Sequence, residues 1–383
     1  MKQLKTLTLF LIVLLGLHNA SNSQTATREN LRIPDILGYK TLKCDFHMHS
    51  VFSDGSVWPT VRIDEAWLNG LDAIAITDHI EYTPHEEDIR QNFNRPYEIA
   101  LPRAEALGII LIRACEITRS MPPGHLNAMF LSDVESLDRE EWEDAVKAAS
   151  EQGAFIFWNH PGWQKQQEDG VAKLSPIHIE LINSDRLHGI EVVNSNEYYP
   201  EAFEFGLEYN LTLFSNSDVH APIGMTYDMA SGERRPMTLV FARTRTVPAI
   251  RKALFNQRTV TYWNNNLYGE EKYLRPIFNK SVTIKNPLVE LTKKSRKYIQ
   301  IFNDSDINYE LKLNGHVEEI TVPHDITLYA RKTVLFQIRG KSEDLRGRKR
   351  IRIPYTIQNL HISPDELLPI EIELNVIFKE IES

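Results

Sequence analysis

His47-Met-His49 sets two imidazoles two residues apart, a spacing that turns both to one side of an extended chain and lets them reach one ion. More groups of the same kind follow along the chain. Ser53-Asp54-Gly55 offers a carboxylate at a tight turn, and Thr77-Asp78-His79 closes an apolar run. Glu116 lies near the end of another run, and Pro123-Gly124-His125 begins the next. Asn159-His160-Pro161 and Ser217-Asp218-Val219-His220 complete the series. Imidazole and carboxylate without thiolate suit divalent Zn, Mn or Fe and leave positions for water and substrate. Any one of these residues reads equally well as a helix cap or turn residue. Nine of them, nearly all at the ends of successive apolar runs, do not.

The runs themselves say what must position these groups. Strands are expected at 42–49, 72–78, 109–117, 125–131, 153–159, 188–194, 211–217 and 237–243. Helical patterns fall between them, including 58–68, 94–107, 139–151, 199–208 and 247–256. Such alternation implies parallel strands with crossover helices, an α/β layer or barrel. Binding sites in these folds gather at the C-terminal ends of the strands, where the histidines and carboxylates lie. From about residue 283 the texture changes to period-two alternation without helices, as in Tyr298–Phe302, Ile307–Leu313, Thr333–Ile338 and Ile370–Ile377. That pattern predicts an all-β, sandwich-like module. The division is therefore a lead-in over 25–39, a barrel over 40–282 and a β-rich domain over 283–383.

Composition narrows the class. The chain has 383 residues, 42% hydrophobic and 25% charged, which excludes disorder, collagen and coiled coil as descriptions of the whole. Thirteen histidines stand against two cysteines, so a disulfide-stapled scaffold and a thiolate zinc ribbon are excluded. Residues 25–282 carry net charge −12 and residues 283–383 carry +1. Basic runs at Lys293-Lys294-Ser295-Arg296-Lys297 and Arg346–Arg352 read either as a surface for an anionic ligand or as solvated hairpin and guarded sheet edge. Sparse aromatic interleaving favours the second.

Residues 1–24 begin with Lys2 and Lys5, run apolar from Leu7 to Leu17 and exit through small polar residues. The run is too short for a bilayer, which takes about 20 residues, and reads as a signal peptide cleaved on export to a periplasmic or secreted location. No transmembrane anchor is expected. Export makes Cys44 and Cys115 a pair to weigh. With the 72–78 strand between theirs, their backbones sit about 9.5 Å apart. That exceeds the disulfide reach of about 7 Å, so two buried free thiols are expected.

Taken together, His47-Met-His49, Asp54-Gly55, Thr77-Asp78-His79, Glu116, His125, His160 and Asp218-Val219-His220 resemble the polymerase and histidinol phosphatase (PHP) superfamily. The resemblance covers about residues 40–262 and fills all nine ligand positions in order. It implies a distorted (β/α)7 barrel with a trinuclear metal centre, and two or three bound divalent transition metals are expected. His47, His49, Glu116 and Asp218 would hold one ion, Glu116 would bridge to a second held by His125 and His160, and Asp54, His79 and His220 would hold the third. Three acidic ligands against that many divalent ions leave the centre positive, suited to a phosphate dianion. Metal also makes bound water a nucleophile near neutral pH.

Around the centre, Asp78 is a candidate to orient His79 or shuttle a proton, with a helix cap as the alternative. Arg119, Arg234 and Arg235 are candidate phosphate clamps, through the planar guanidinium fork. Trp163, Asn194, Asn196 and Tyr198 are candidate walls of the substrate pocket. The leading function is hydrolysis of small phosphate esters, monoesters before diesters. A phosphodiesterase or nuclease, a metal-dependent amidohydrolase and a non-catalytic, metal-stabilised binding module remain open. A barrel still at about −6 with three ions bound has the wrong sign for phosphate-backbone steering, so no nucleic acid partner is expected. No nucleophile elbow, P-loop, dinucleotide fingerprint or C-x-x-C supports serine hydrolase, NTPase, dehydrogenase or thiol-redox chemistry.

Overall fold

The computed structural model describes residues 26–292 and 294–379, so the leader expected over 1–24 and Lys293 of the first basic run lie outside the described residues. Three strands begin the barrel: β1 (Lys40–Asp45), β2 (Ala73–Ile76) and β3 (Ile110–Ile117), all parallel. Helices α1 (Pro59–Leu68) and α2 (Arg95–Leu107) make the crossovers. Both carry Pro in the first turn, where the missing N–H is harmless, and Gly108 ends α2 in the left-handed region at φ 67°.

The next strand departs from an all-parallel expectation. β4 (Leu126–Met129) runs antiparallel to both β3 and β5 (Phe155–Trp158). Residues 118–125, which join β3 to β4, form no helix and are too few for a crossover, so the chain reverses. After α3 (Trp142–Glu151) and α4 (Pro176–Asn183), β6 (Gly189–Asn194) returns parallel to β5. The two-residue β7 (Glu197–Tyr198) folds back on β6, and α5 (Pro200–Glu208) leads to β8 (Thr212–Asn216), parallel to β6. Past the one-turn α6 (Ile223–Thr226), β9 (Met237–Ala242) pairs antiparallel with β1. Then α7 (Val247–Leu254), β10 (Thr259–Trp263), β11 (Asn266–Tyr268) and α8 (Glu271–Ser281) follow.

The barrel closes without a ladder. β8 pairs only with β6 among the described residues, and side-chain hydroxyls bridge the remaining seam. Thr259 Oγ1 donates to Leu213 O at 3.0 Å, Thr238 Oγ1 to Ser215 O at 3.0 Å and Ser215 Oγ to Tyr262 O at 3.1 Å. Inside, Phe46, Phe157 and Phe214 pack among Ala73, Ala75 and Ala114, all buried. Gly189 permits this: a Cβ there would lie 2.5 Å from Phe214. Cys44 on β1 and Cys115 on β3 are buried and free, with β2 between them.

The C-terminal part is a two-layer β sandwich. One layer holds β12 (Val282–Ile284), β14 (Arg296–Asn303), β16 (Ile320–Thr321) and β18 (Thr333–Gly340). The other holds β13 (Leu288–Thr292), β15 (Tyr309–Leu313), β17 (Asp325–Leu328), β19 (Gly347–His361) and β20 (Leu367–Lys379). Alternate residues Ile351, Ile353, Tyr355 and Ile357 of β19 point into the core. The second basic run occupies that strand. Arg350 pairs with Glu373 at 2.5 Å, Arg352 with Glu371 at 3.7 Å and Lys349 with Glu319 at 3.3 Å. Carboxylates thus already face three of its cations.

The border near residue 282 is not a gap. β19 pairs in parallel with β11, matching Leu267 to Leu360 and Tyr268 to His361, so one sheet runs from barrel to sandwich. No helix of the described residues is long and apolar enough to cross a membrane.

Candidate metal centre

β1 ends at Asp45, so His47 and His49 lie just beyond the strand, in a segment that stays extended through a bridge from Met48 to Val219. Alternation therefore still sends both imidazoles to one side. Gly55 lets the Asp54 turn press on this segment: a Cβ there would meet the His49 backbone at 2.6 Å. His79 follows β2, Glu116 lies in β3, His125 precedes β4, His160 follows β5, and Asp218 and His220 follow β8. His160 and Asp218 take left-handed backbone angles, φ 26° and 49°. Such conformations in non-glycine residues cost of order 1–3 kcal/mol each and persist where function fixes them.

The nine side chains converge. His47 Nε2 lies 3.0 Å from Glu116 Oε2 and 3.2 Å from Asp218 Oδ1. His49 Nε2 lies 3.3 and 3.1 Å from the same two oxygens. His125 Nδ1 is 2.6 Å from Glu116 Oε1, while His79 Nε2 and His220 Nε2 are 3.5 and 3.2 Å from Asp54 Oδ1. Ligand-type atoms group as His49, Asp54, His79 and His220; as His47, His49 and Glu116; as His79, Glu116 and His125; and as His47, His160 and Asp218. His160 thus groups with His47 and Asp218, its Nε2 3.8 Å from Glu116.

Six buried polar atoms of this set have no hydrogen-bond partner: His49 Nε2, Asp54 Oδ1, Glu116 Oε1, His125 Nδ1, His160 Nδ1 and Asp218 Oδ1. Buried polar groups are mostly paired, and six unpaired ones gathered at one place call for a partner from outside the chain. Imidazoles and carboxylates with those atoms orphaned among one another fit divalent cations, which would bind through them. Electrostatics agree. Burial alone would lower the His49 pKa, yet the Asp218 and Glu116 carboxylates lying against its ring push it up to about 10. Burial would raise Glu116, but the surrounding His79, His47 and His125 hold its carboxyl well below the usual range. Without metal, protons on imidazole stand where cations would otherwise balance the carboxylates.

A carboxylate the sequence reading missed organises the centre from behind. Glu191, fully buried in β6, accepts from His47 Nδ1 at 2.9 Å and Asn216 Nδ2 at 2.9 Å through one oxygen. Its other oxygen accepts from the His160 amide at 2.7 Å and Asn194 Nδ2 at 2.8 Å. Holding the proton on Nδ1 frees Nε2 of His47 for a metal, the carboxylate–histidine arrangement of metal sites. Arg62 on α1, buried, was missed as well. It donates to the carbonyls of His49 (2.8 Å), Val219 (3.0 Å), His220 (2.7 Å) and Ala221 (3.0 Å), tying two ligand loops together.

Asp78 serves the scaffold. Its oxygens accept from the Ser50 amide and hydroxyl, each at 2.6 Å, and from Ser53 Oγ at 2.8 Å. Its carboxylate meets Ser53, whose hydroxyl lies 3.3 Å from His49 Nδ1, and its backbone carbonyl accepts from the Glu116 amide at 3.1 Å.

None of the three arginines singled out as phosphate clamps reaches the centre. Arg119 is held by Glu81 and the carbonyls of Arg139 and Glu140, and Arg234 by Glu29. Arg235 is buried behind the ligands, 2.5 Å from Asp45 and 2.7 Å from Ser217 Oγ. Strand-end position does not decide the side to which a long side chain turns.

The centre floors a cleft of about 570 Å³. Trp163, Asn194 and Asn196 line it as anticipated, joined by Tyr82, Thr118, Ser195 and Glu197. Tyr198 does not line it; its ring stacks on Tyr268 at 4.6 Å. Lys165, also missed, is the only lysine or arginine lining this cleft among the described residues, with its ammonium 5.0 Å from the Trp163 ring centre. Its place two residues after Trp163 was the available signal.

Comparison with known proteins agrees with this geometry. A sequence family described as an Ig-like domain matches residues 282–373. The crystal structure of a two-domain protein from Bacteroides vulgatus, containing a predicted PHP-like metal-dependent phosphoesterase, superposes with TM-score 0.85 at 44% identity. That match covers 91% of this chain and 99% of the other. An uncharacterized protein of Methanocaldococcus jannaschii is 30% identical over 189 residues, 47% of this chain and 83% of the relative.

Proposed function

The chain belongs to the polymerase and histidinol phosphatase superfamily, and from that membership we propose that it is an exported, metal-dependent phosphoesterase acting on small phosphate esters. The observation that carries the reading is the set of six orphaned polar atoms, contributed by six of nine converging ligands, at the floor of an open cleft. His47, His49, Glu116 and Asp218 would hold one ion, His125 and His160 with Glu116 a second, and Asp54, His79 and His220 a third. Bound divalent ions supply Lewis acidity and a water acidic enough to attack phosphorus near neutral pH.

The chain's own side chains do the rest. Glu191 holds the His47 tautomer, and Arg62 fixes the spacing of the loops carrying His49 and His220. Lys165 is placed at the cleft to balance a phosphate oxygen, and Trp163 and Tyr82 bound the space left for the ester group. Apart from Lys165 the described residues offer the cleft no cation beyond its histidines, and Glu197 adds negative charge. A long polyanion meets repulsion there, while a small monoester presents one dianionic phosphate to the centre.

Turnover by the mature chain, prepared with defined metal and offered matched monoesters, diesters and amides, tests the reading. Small monoesters should be hydrolysed best. A tenfold advantage in kcat/KM for diesters or amides, equivalent to about 1.4 kcal/mol, would overturn it. N-terminal sequencing of the exported product should begin near residue 25; a product retaining Met1 would refute export by cleavage.

A further inference from the structure

We propose that the C-terminal sandwich is a positioning element of the catalytic cleft, acting through His361. This residue ends β19 and is the register partner of Tyr268 on β11. Its ring stacks on Tyr268 at 4.7 Å and 19°, and Tyr268 stacks in turn on Tyr198 at 4.6 Å and 23°. Tyr198 belongs to the two-residue β7, whose turn onto β6 presents Ser195, Asn196 and Glu197 to the cleft. Three rings in series therefore link the sandwich to the cleft rim.

The hairpin needs such support. β7 has only two residues of ladder, and Ser195 holds a left-handed φ of 51°. A ribbon so short is not stable by its own pairing. The buried Tyr198 hydroxyl has no hydrogen-bond partner, so its side chain is held by packing, on Tyr268 and on the apolar cluster beneath, while the backbone is tied by Ser195 N to Asn216 O at 3.0 Å and Tyr199 N to Val192 O at 2.8 Å.

The sandwich side of the stack is itself rigid. Asn359 Nδ2 donates to the carbonyls of Asn265 at 2.6 Å and Asn308 at 2.8 Å. The Asn308 amide donates to Asn265 Oδ1 at 2.9 Å, and the Gly269 amide to His361 O at 3.1 Å. A domain tethered by a flexible linker would show none of this. Geometry thus gives the sandwich a task in the same molecule: holding the hairpin that touches substrate.

The kinetic part of the proposal rests on the phosphoesterase reading, and the structural part does not. The full-length chain carrying His361→Ala or His361→Phe is compared with the parent by hydrogen exchange at residues 194–199, by metal content and by steady-state kinetics on a small phosphomonoester. His361→Ala should speed exchange in that segment and raise KM about two- to tenfold, the span of one lost aromatic contact, with kcat and metal content little changed. His361→Phe keeps a flat ring on Tyr268 and should restore both. Unchanged exchange and KM in His361→Ala would overturn the proposal. So would failure of His361→Phe to rescue, or loss of metal in His361→Ala, because either outcome makes the residue merely structural. A parent chain that hydrolyses no phosphate ester would refute the phosphoesterase reading alone, leaving the exchange comparison to decide positioning.

Discussion

Glu191→Gln preserves size and shape while replacing one carboxylate oxygen by an NH2 group, and its consequence follows from the hydrogen bonds at that position. The carboxylate accepts four, two on each oxygen, from His47 Nδ1, Asn216 Nδ2, the His160 amide and Asn194 Nδ2. An amide can accept on one side only. If its oxygen stays toward His47, the NH2 group opposes both the His160 backbone amide and Asn194 Nδ2, and each buried donor left unpaired costs about 1–3 kcal/mol. If the amide turns the other way, it donates to His47 Nδ1, moves that proton to Nε2 and removes the lone pair that would bind metal. Either orientation disturbs a candidate ligand, although Glu191 itself does not line the cleft. Loss of such a supporting partner costs about 10–100-fold in metal affinity, or about 1.4–2.8 kcal/mol. Competition against a chromophoric chelator at fixed pH measures it, with circular dichroism and a melting curve showing that the barrel is intact. A folded Glu191→Gln protein binding metal within twofold of the parent would refute the assignment of Glu191 as the group that orients His47.

Arg62→Met should destabilise the chain by about 3–5 kcal/mol, because it takes the cation from the buried Glu65 carboxylate and the donor from the His49 and Ala221 carbonyls; chemical denaturation reads it, and a loss under 1 kcal/mol would contradict the clamp. Arg234→Ala removes a partly exposed pair with Glu29 outside the cleft, so kcat/KM should stay within about twofold of the parent, as for surface pairs generally. Apparent metal affinity should strengthen as pH rises, because neighbouring carboxylates keep His47, His49 and His160 protonated above the ordinary histidine range and metal must displace those protons. The trend should continue toward pH 10, where His49 loses its proton; affinity independent of pH in chelator competition would refute it.

The nine candidate ligands were legible as a set because a histidine or carboxylate at the end of an apolar strand has few other tasks, and the structure brings all nine side chains together. Glu191 had a signal that went unread. It is the one charge inside Gly189-Ile-Glu-Val-Val-Asn194, a strand buried throughout, and a charge there must face a partner. Arg62 carried no comparable mark, since an arginine in an exposed-looking helix turn gives no hint that it reaches back to carbonyls. Strand direction escaped for a related reason. Period and hydrophobicity locate β4 and β9, but only the length of the 118–125 link argued for reversal at β4, and nothing local did so at β9. The pairing of β11 with β19 joins residues about ninety positions apart, beyond the reach of any local pattern.

Metal dependence of phosphate ester hydrolysis is where the account stands or falls. Metal-free protein is titrated with a divalent ion while turnover of a small phosphomonoester and metal uptake are followed in the same sample. Turnover should be absent at the start and rise in step with uptake to two or three ions per chain. Full uptake with no hydrolysis of any phosphate ester, or turnover that does not respond to metal, would contradict it.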